Sequence, residues 1–536
     1  MATTSEQTGR IPRAVLVTGL VVVAGMLMPV LDSTIVNVAL DTLSSDLDAS
    51  LTKTQWVVTG YLLAVAMVIP ITGWAMDRFG SKTIWIMAVT LFMLGSALCA
   101  AAWNIESLIG FRVLQGLGGG MLMPAGQAMI AKAAGSDRMG SAMTILGVPM
   151  LLGPVFGPVL GGLLVEYTTW HWIFVVNVPV GLIAIALAVW KLPAGRPEED
   201  PGGLDVVGLV LLSGSLASLL YGLSEASSRG GFDKPGVLGW LIGGGVGLVA
   251  YVAYSLVRGP KSIIDVRLLS NRVFASSTAA IFLVGIGMFG GMLLLPLYYQ
   301  TVRQESALDA GLLLAPQGLG AIVAVVLTGR LTDRIGAGYV VPVGVVLALA
   351  GTLPFTQVGT DTSYLWLSLA LFVRGIGLGA VMMPTISSAY STLSKDKASR
   401  AAPTLSATQQ VGASLGSALL ITALTHHFTH ELLERGVESK STGSGGGSTE
   451  LSSIPREEMP IIGPLLADSY GFAFWVAFVL MAFILVPAIG LPRHWHGKEP
   501  DAAEPDSGVD PDADSGVDPD AGPGVDPDAA PVAPRG

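Results

Sequence analysis

Fourteen apolar runs, each about twenty residues or longer and separated by short clusters of charge and turn residues, decide what this chain can fold into. They lie at 14–38, 55–76, 83–103, 105–131, 141–166, 170–190, 204–224, 236–257, 274–298, 309–329, 338–357, 363–389, 404–426 and 470–491. A helix of about 20 residues crosses the roughly 30 Å hydrocarbon core of a bilayer. Inside that core no water is available, so each segment must satisfy its own backbone N–H and C=O groups. Runs this long and continuous do not suit barrel strands. The expected fold is therefore all-α and integral to a membrane. Composition agrees, since 51% of the 536 residues are hydrophobic and only 13% are charged, about half the roughly 25% of a soluble globular protein.

The formal net charge of -10 is unevenly placed. From Arg493 to Gly536 there are eleven acids and three bases, so the preceding 492 residues are nearly neutral. The acidity sits in a tail with Gly-Val-Asp-Pro-Asp at 508–512, 516–520 and 524–528, a composition expected to stay disordered. An even number of spans puts both termini on one side. Twenty Lys and Arg fall in the loops and termini of that side and seven on the other, so both termini are expected in the cytoplasm, and the chain is expected in the plasma (inner) membrane. The single cysteine, Cys99, excludes an internal disulfide.

Two loops repeat. Gly73-Trp-Ala-Met-Asp77-Arg78-Phe-Gly80-Ser-Lys82 and Gly329-Arg-Leu-Thr-Asp333-Arg334-Ile-Gly336 share a GxxxDRxG frame. Gly116 to Pro124 is echoed by Gly375 to Pro384. Both pairs imply a duplicated bundle. The expected organisation is a cytoplasmic N-terminus at 1–13, a six-helix half at 14–190, two inserted helices at 204–257, a second six-helix half at 274–491 with an outer loop at 427–469, and the tail at 492–536. In the shared frame, glycine lets helix ends approach closely, while Asp and Arg at a helix terminus pair with each other or with a neighbouring helix end. Gly73, Asp77, Arg78, Gly80, Lys82, Gly329, Asp333, Arg334 and Gly336 are thus candidates for a conformational gate.

Charges within spans are costly, about 2.5–3.5 kcal/mol each on insertion scales, and point to function. Asp32 lies in Leu31-Asp-Ser-Thr-Ile-Val-Asn-Val-Ala-Leu40, and Arg112 in a later span is its natural counter-charge. Arg112, Gln115 and Gly116 share one helical face. A carboxylate balanced between desolvation and a nearby cation is suited to loading and releasing a proton, whereas arginine keeps its own. Gly153-Pro154-Val-Phe-Gly157-Pro158-Val-Leu-Gly161-Gly162 combines a bare glycine ridge with two prolines, a helix expected to pack closely and bend.

Together these motifs, with Trp170-His-Trp-Ile-Phe-Val-Val-Asn-Val-Pro-Val-Gly181, resemble the fourteen-span drug:proton antiporters of the major facilitator superfamily, of the EmrB and QacA type. The likeness covers nearly all of residues 14–491, with Ser81, His171 and Asp41 standing where that family usually has a base, an arginine and a proline. It implies two six-helix bundles plus two inserted helices, and export of amphipathic compounds driven by proton entry. It also ties the positions of Asp32 and Arg112 to proton coupling, and the GPxxGPxxGG element to antiport.

Met121, Met123, Met382 and Met383, with Gln115, Gln409 and Gln410, are candidate cargo-binding side chains, because flexible thioethers and amides suit varied ligands. His426, His427, His430 and Glu431 offer an i, i+4 pair but no second cluster, and are read as a polar helix end with no metal expected. No GK[ST] occurs, so no ATP site and no cofactor are expected. The chain is expected to be a transporter rather than an enzyme, acting as a monomer on protons and a small molecule within the lipid bilayer, with no nucleic-acid partner. Export of a cell-envelope lipid or secondary metabolite, or a non-pumping sensor or assembly role, are the alternatives.

Overall fold

A computed structural model describes residues 13–134, 139–193, 197, 202–229, 231–394, 397–435 and 459–493. The N-terminal residues 1–12, the Gly/Ser-rich stretch at 441–449 and the acidic tail from 494 onward lie outside them. All regular structure among the described residues is helical. The helices are α1 (Arg13–Val38), α2 (Leu40–Asp46), α3 (Leu51–Thr54), α4 (Trp56–Val68), α5 (Ile71–Phe79), α6 (Ser81–Ala100), α7 (Ile105–Ala134), α8 (Met139–Tyr167), α9 (His171–Val175) and α10 (Asn177–Lys191). After these come α11 (Val206–Arg229), α12 (Pro235–Arg258), α13 (Arg272–Thr301), α14 (Ala307–Ile335), α15 (Ala337–Thr352), α16 (Tyr364–Ser391), α17 (Ala398–Glu434), α18 (Met459–Ala482) and α19 (Leu485–Ala488).

Eleven helices among the described residues are long and apolar enough to cross a membrane, or twelve when α4 and α5 count as one span bent by 55°. The expected count of fourteen is therefore not reached on these criteria. Helices α7 and α8 have the length of spans but are not among the eleven. For α7 the reason is its buried polar content, Arg112, Gln115 and Gln127, which offsets its apolar residues. Helix α17 runs on to Glu434, into the stretch expected as the outer loop at 427–469, and α18 begins at Met459. His426, His427, His430 and Glu431 lie within α17, as the polar helix end they were expected to form.

The duplication is visible in backbone detail. Gly80 joins α5 to α6 with φ 84° and ψ 146°, and Gly336 joins α14 to α15 with φ 84° and ψ 154°. Side-chain-bearing residues rarely adopt that φ, so the last glycine of GxxxDRxG serves one turn in both halves. Packing repeats as well. Gly116 and Gly120 lie against the backbone of α4 and Gly118 against that of α6, just as Gly375 and Gly379 lie against α14 and Gly377 against α15. A Cβ on Gly116 would sit 2.7 Å from the Tyr61 carbonyl oxygen, and one on Gly379 2.7 Å from that of Ala321. Lipid chains are as apolar as leucine, so this close backbone packing supplies association energy that hydrophobicity does not.

Helix α8 runs antiparallel to α14, from Gly140 beside Gly329 at one end, through Gly147 beside Val325, towards Leu308 at the other. Its ridge of Gly153, Gly157 and Gly161 seats on Val30, Thr34 and Ile35 of α1. Helix α11 bridges the two halves: Ser213 donates to the Met67 carbonyl of α4 at 2.7 Å, while Leu223 and Ala226 pack with Ala418 of α17. Helix α12 lies outside α11, and its apolar window is only 17% buried.

These glycine seams make a contrast testable in purified, detergent-solubilised protein by thermal or chemical unfolding. Gly118→Leu drives a side chain into the Phe92 backbone and is expected to destabilise by about 3 kcal/mol or to prevent folding. Gly110 has no neighbour within 4 Å of an added Cβ, so Gly110→Ala is expected to stay within about 0.5 kcal/mol of the parent.

Candidate functional site

Five helices bring polar groups to one buried point. Asp32 of α1 and Arg112 of α7 are 1% and 0% exposed. Arg112 Nη1 donates to Asp32 Oδ2 at 2.5 Å and to Gln115 Oε1 at 2.6 Å, and its Nε donates to the Val57 carbonyl of α4 at 3.1 Å. Gln115 Nε2 donates to Asp32 Oδ1 at 2.9 Å and to Ser96 Oγ of α6 at 2.8 Å. Asn177, which opens α10, donates from Nδ2 to Asp32 Oδ1 at 3.2 Å and to Ser96 Oγ at 2.9 Å. The Tyr61 ring lies 4.1 Å from the guanidinium carbon, a cation–π contact. Arg112 Nη2 is buried without a hydrogen-bond partner.

The predicted trio of Asp32, Arg112 and Gln115 thus meets. Asn177, Ser96 and Tyr61 join them, although none is a candidate from the sequence alone. Asn177 falls inside the Trp170–Gly181 motif, which was the available signal, while Ser96 and Tyr61 carry no local signature. One carboxylate accepts a charged donor and two amides in a dry interior. Such a pair is stable while complete and costly when one partner is removed or neutralised.

The second half keeps the cation without the acid. Arg374 of α16 is 1% exposed, donates from Nη1 to Gln317 Oε1 of α14 at 2.6 Å, and leaves Nε and Nη2 without hydrogen-bond partners. Gly291 of α13 faces Nη2, and it stands as far along α13 from Arg272 as Asp32 stands along α1 from Arg13. Glycine therefore occupies the acid's place in the duplicate.

Two acids join the halves at one end of the bundle. Asp77, 2% exposed at the end of α5, lies 3.4 Å from Arg400 Nε of α17 and 4.0 Å from Lys132 Nζ of α7. Gly73 supports this approach, since a Cβ there would lie 2.6 Å from the Ser399 carbonyl oxygen. In return, Asp333 of α14 accepts the backbone N–H groups of Gly140 at 2.8 Å and Ser141 at 3.0 Å, together with the Ser141 hydroxyl. Those N–H groups open α8, so Asp333 caps a helix N-terminus of the other half. Arg78 and Arg334 are exposed. Lys82 donates to the Val189 and Leu192 carbonyls at 2.8 and 2.9 Å, closing the end of α10 within its own half. Arg400 also donates to the Pro260 carbonyl at 2.9 Å, so the segment after α12 joins the Asp77–Arg400 contact beside a cavity of about 420 Å³.

Met121, Met382 and Met383 are buried in a hydrophobic cluster that runs through both halves, with Met123 packed partly buried against it. Gln409 is buried and Gln410 half-buried on α17. Tyr390 of α16 donates to Gln127 Oε1 of α7 at 3.3 Å, a contact between halves that local sequence pattern did not suggest.

A family model described as Major Facilitator Superfamily matches residues 15–417. A "Multidrug resistance protein B homolog" of Mycobacterium tuberculosis is 40% identical over 483 residues, covering 88% of this chain and 89% of the relative. A "Putative multidrug resistance protein MdtD" of Cronobacter sakazakii is 32% identical over 421 residues, 76% of this chain and 86% of that protein. Among solved structures, the human organic anion transporter MFSD10 covers 88% of this chain and 100% of its own, with a TM-score of 0.57 at 16% identity. At that identity the likeness is one of fold.

The buried pair predicts a non-additive double-mutant cycle. Asp32→Ala leaves Arg112 uncompensated and is expected to cost about 3–5 kcal/mol, whereas Asp32→Leu with Arg112→Met is expected to recover most of that loss. Chemical denaturation of the detergent-solubilised variants measures this, and equal losses in the single and double variants would contradict it.

Proposed function

The chain belongs to the Major Facilitator Superfamily, and on that premise we propose that it is a proton-coupled multidrug efflux transporter, exporting amphipathic or cationic small molecules across the plasma membrane by alternating access. The observation that carries this reading is the buried Asp32–Arg112 pair, held by donors from neighbouring helices. The multidrug relatives supply the cargo class.

In this mechanism Asp32 holds the proton and Arg112 sets how readily. Arginine stays protonated at ordinary pH, so only the carboxylate exchanges. A proton arriving on Asp32 from outside removes the negative charge that balances Arg112. Asn177 accommodates either state, because its amide can turn to offer a carbonyl oxygen where it had offered N–H, whereas Gln115 keeps its orientation because its Oε1 accepts from Arg112. A cationic cargo and a proton compete for the same negative charge, which makes the exchange obligatory.

The rearrangement reaches the gate through α1 and α8. The glycine ridge at Gly153, Gly157 and Gly161 packs on α1 beside Asp32, and Pro154 and Pro158 give α8 points of bending, with Gly162 ending the element. At its other end α8 is capped by Asp333. We assign the latch end, with Gly73, Asp77, Arg78, Gly80, Lys82, Gly329, Asp333, Arg334 and Gly336, to the cytoplasmic side. The described arrangement is then closed inward. Halves at 14–190 and 274–491 rock about the cargo, α11 and α12 form the insert at 204–257, and both termini are cytoplasmic. Gln115, Met121, Met123, Met382, Met383, Gln409 and Gln410 remain the proposed cargo contacts. No cofactor is invoked, and one copy of the chain suffices.

Proton entry down about 100 mV yields roughly 2.3 kcal/mol, and one pH unit adds about 1.4. At one proton per cycle this sustains a gradient of roughly 500-fold for a neutral cargo. The test uses proteoliposomes and a fluorescent lipophilic cation. An imposed pH gradient is expected to drive export by the parent chain, while Asp32→Asn is expected to lose gradient-driven transport and keep downhill exchange. Export that ignores the gradient and survives Asp32→Asn would refute proton antiport.

A further inference from the structure

The helix that carries the Asp77 partner Arg400 at one end carries a cluster of metal-binding residue types at the other. Helix α17 is continuous from Ala398 to Glu434, and on its far turns His427 and Glu431 stand at i and i+4. Taken alone, that spacing read as a polar helix end, because it lacked a further ligand from outside the helix. The fold supplies one: Asp468 of α18 comes alongside, and a ring nitrogen of His427, a carboxylate oxygen of Glu431 and one of Asp468 lie within 4.8 Å of one another. We propose that His427, Glu431 and Asp468 form a binding site for a divalent transition-metal cation of the Zn²⁺ type, joining α17 to α18 on the face opposite the latches.

The surroundings prepare the imidazole for this. Ser469 Oγ donates its only hydrogen to the Leu465 carbonyl at 2.9 Å, so towards His427 Nδ1, 3.3 Å away, it acts as an acceptor. With the imidazole proton on Nδ1, Ser469 Oγ accepts it and the Nε2 lone pair is left for a cation, the usual outer hydrogen bond of a ligating histidine. Phe472 stacks on the ring with centroids 4.6 Å apart and planes at 19°, fixing its orientation. Glu431 is half-buried, and Arg435 Nη2 engages its Oε2 at 3.0 Å, which orients the carboxylate. Asp468 is exposed and free to swing inward. Ligands on one tetrahedral ion sit about 3.3 Å apart, so a rotamer adjustment at Asp468 closes the set. One imidazole with two carboxylates suits Zn²⁺, Co²⁺ or Ni²⁺, whereas Mg²⁺ and Ca²⁺ favour all-oxygen sites. Water fills the remaining position. Because α17 reaches from this cluster to Ser399 and Arg400, an ion here restrains the far end of a helix that holds the latch.

Zn²⁺ titration of the full-length protein, purified without a histidine tag, tests this by calorimetry or against a chromophoric chelator. One saturable Zn²⁺ per chain is expected, with no competition from millimolar Mg²⁺ and a raised unfolding temperature when Zn²⁺ is bound. Asp468→Asn, at an exposed position, and His427→Ala are each expected to weaken binding at least tenfold, while His430→Ala leaves it unchanged. The absence of a saturable site, undiminished affinity in Asp468→Asn, or a loss that follows His430 instead of His427 would overturn the proposal. None of these readouts depends on cargo or proton transport.

Discussion

An ion pair withdrawn from water organises the first half of this molecule. Asp32 and Arg112 are both almost fully buried, where each charge alone would be costly, and the cost is met by crowding donors onto one carboxylate. That crowding needs helices closer together than ordinary side chains permit. Gly95 lets α6 lie directly against the Gln115 backbone, and Gly116 lets α7 lie against Tyr61. The glycine seams and the polar cluster are two aspects of one arrangement: without the first, Ser96, Asn177 and Tyr61 could not converge on the second.

The duplicated half isolates what the pair adds. It retains the alternating glycines, the positive-φ turn and the buried arginine, yet places Gly291 where the acid stands in the first half. The scaffold therefore does not require a carboxylate, and its presence in one half only distinguishes two otherwise similar bundles. The latches show the opposite pattern. Each half contributes an acid that grips the other, Asp77 on Arg400 and Asp333 on the start of α8, so closure at that end is shared while the buried ion pair is confined to one half.

Much of this was legible in the chain. Apolar runs revealed the helices, because a bilayer leaves the backbone no other choice. Two eight-residue frames and a glycine-rich echo revealed the duplication, and helical periodicity put Arg112, Gln115 and Gly116 on one face. What stayed hidden were the partners that carry no charge or motif of their own within a span. Arg400 and Ser141 lie far along the chain from the acids they meet, and nothing in their local pattern marks them. The apolar signal is weakest where polar residues gather: Arg112, Gln115 and Gln127 dilute the run that becomes α7, and the outer turns of α17 carry histidines and a glutamate.

The central claim is that Asp32 is the group that exchanges a proton for cargo. It is tested most directly by adding the lipophilic cation tetraphenylphosphonium to the purified protein in weakly buffered detergent near neutral pH and recording the pH change with an indicator dye. The account predicts that the parent chain releases about one proton for each cation bound, and that Asp32→Asn releases none while still binding. Undiminished proton release from Asp32→Asn, or cation binding by the parent chain with no proton released, would contradict it.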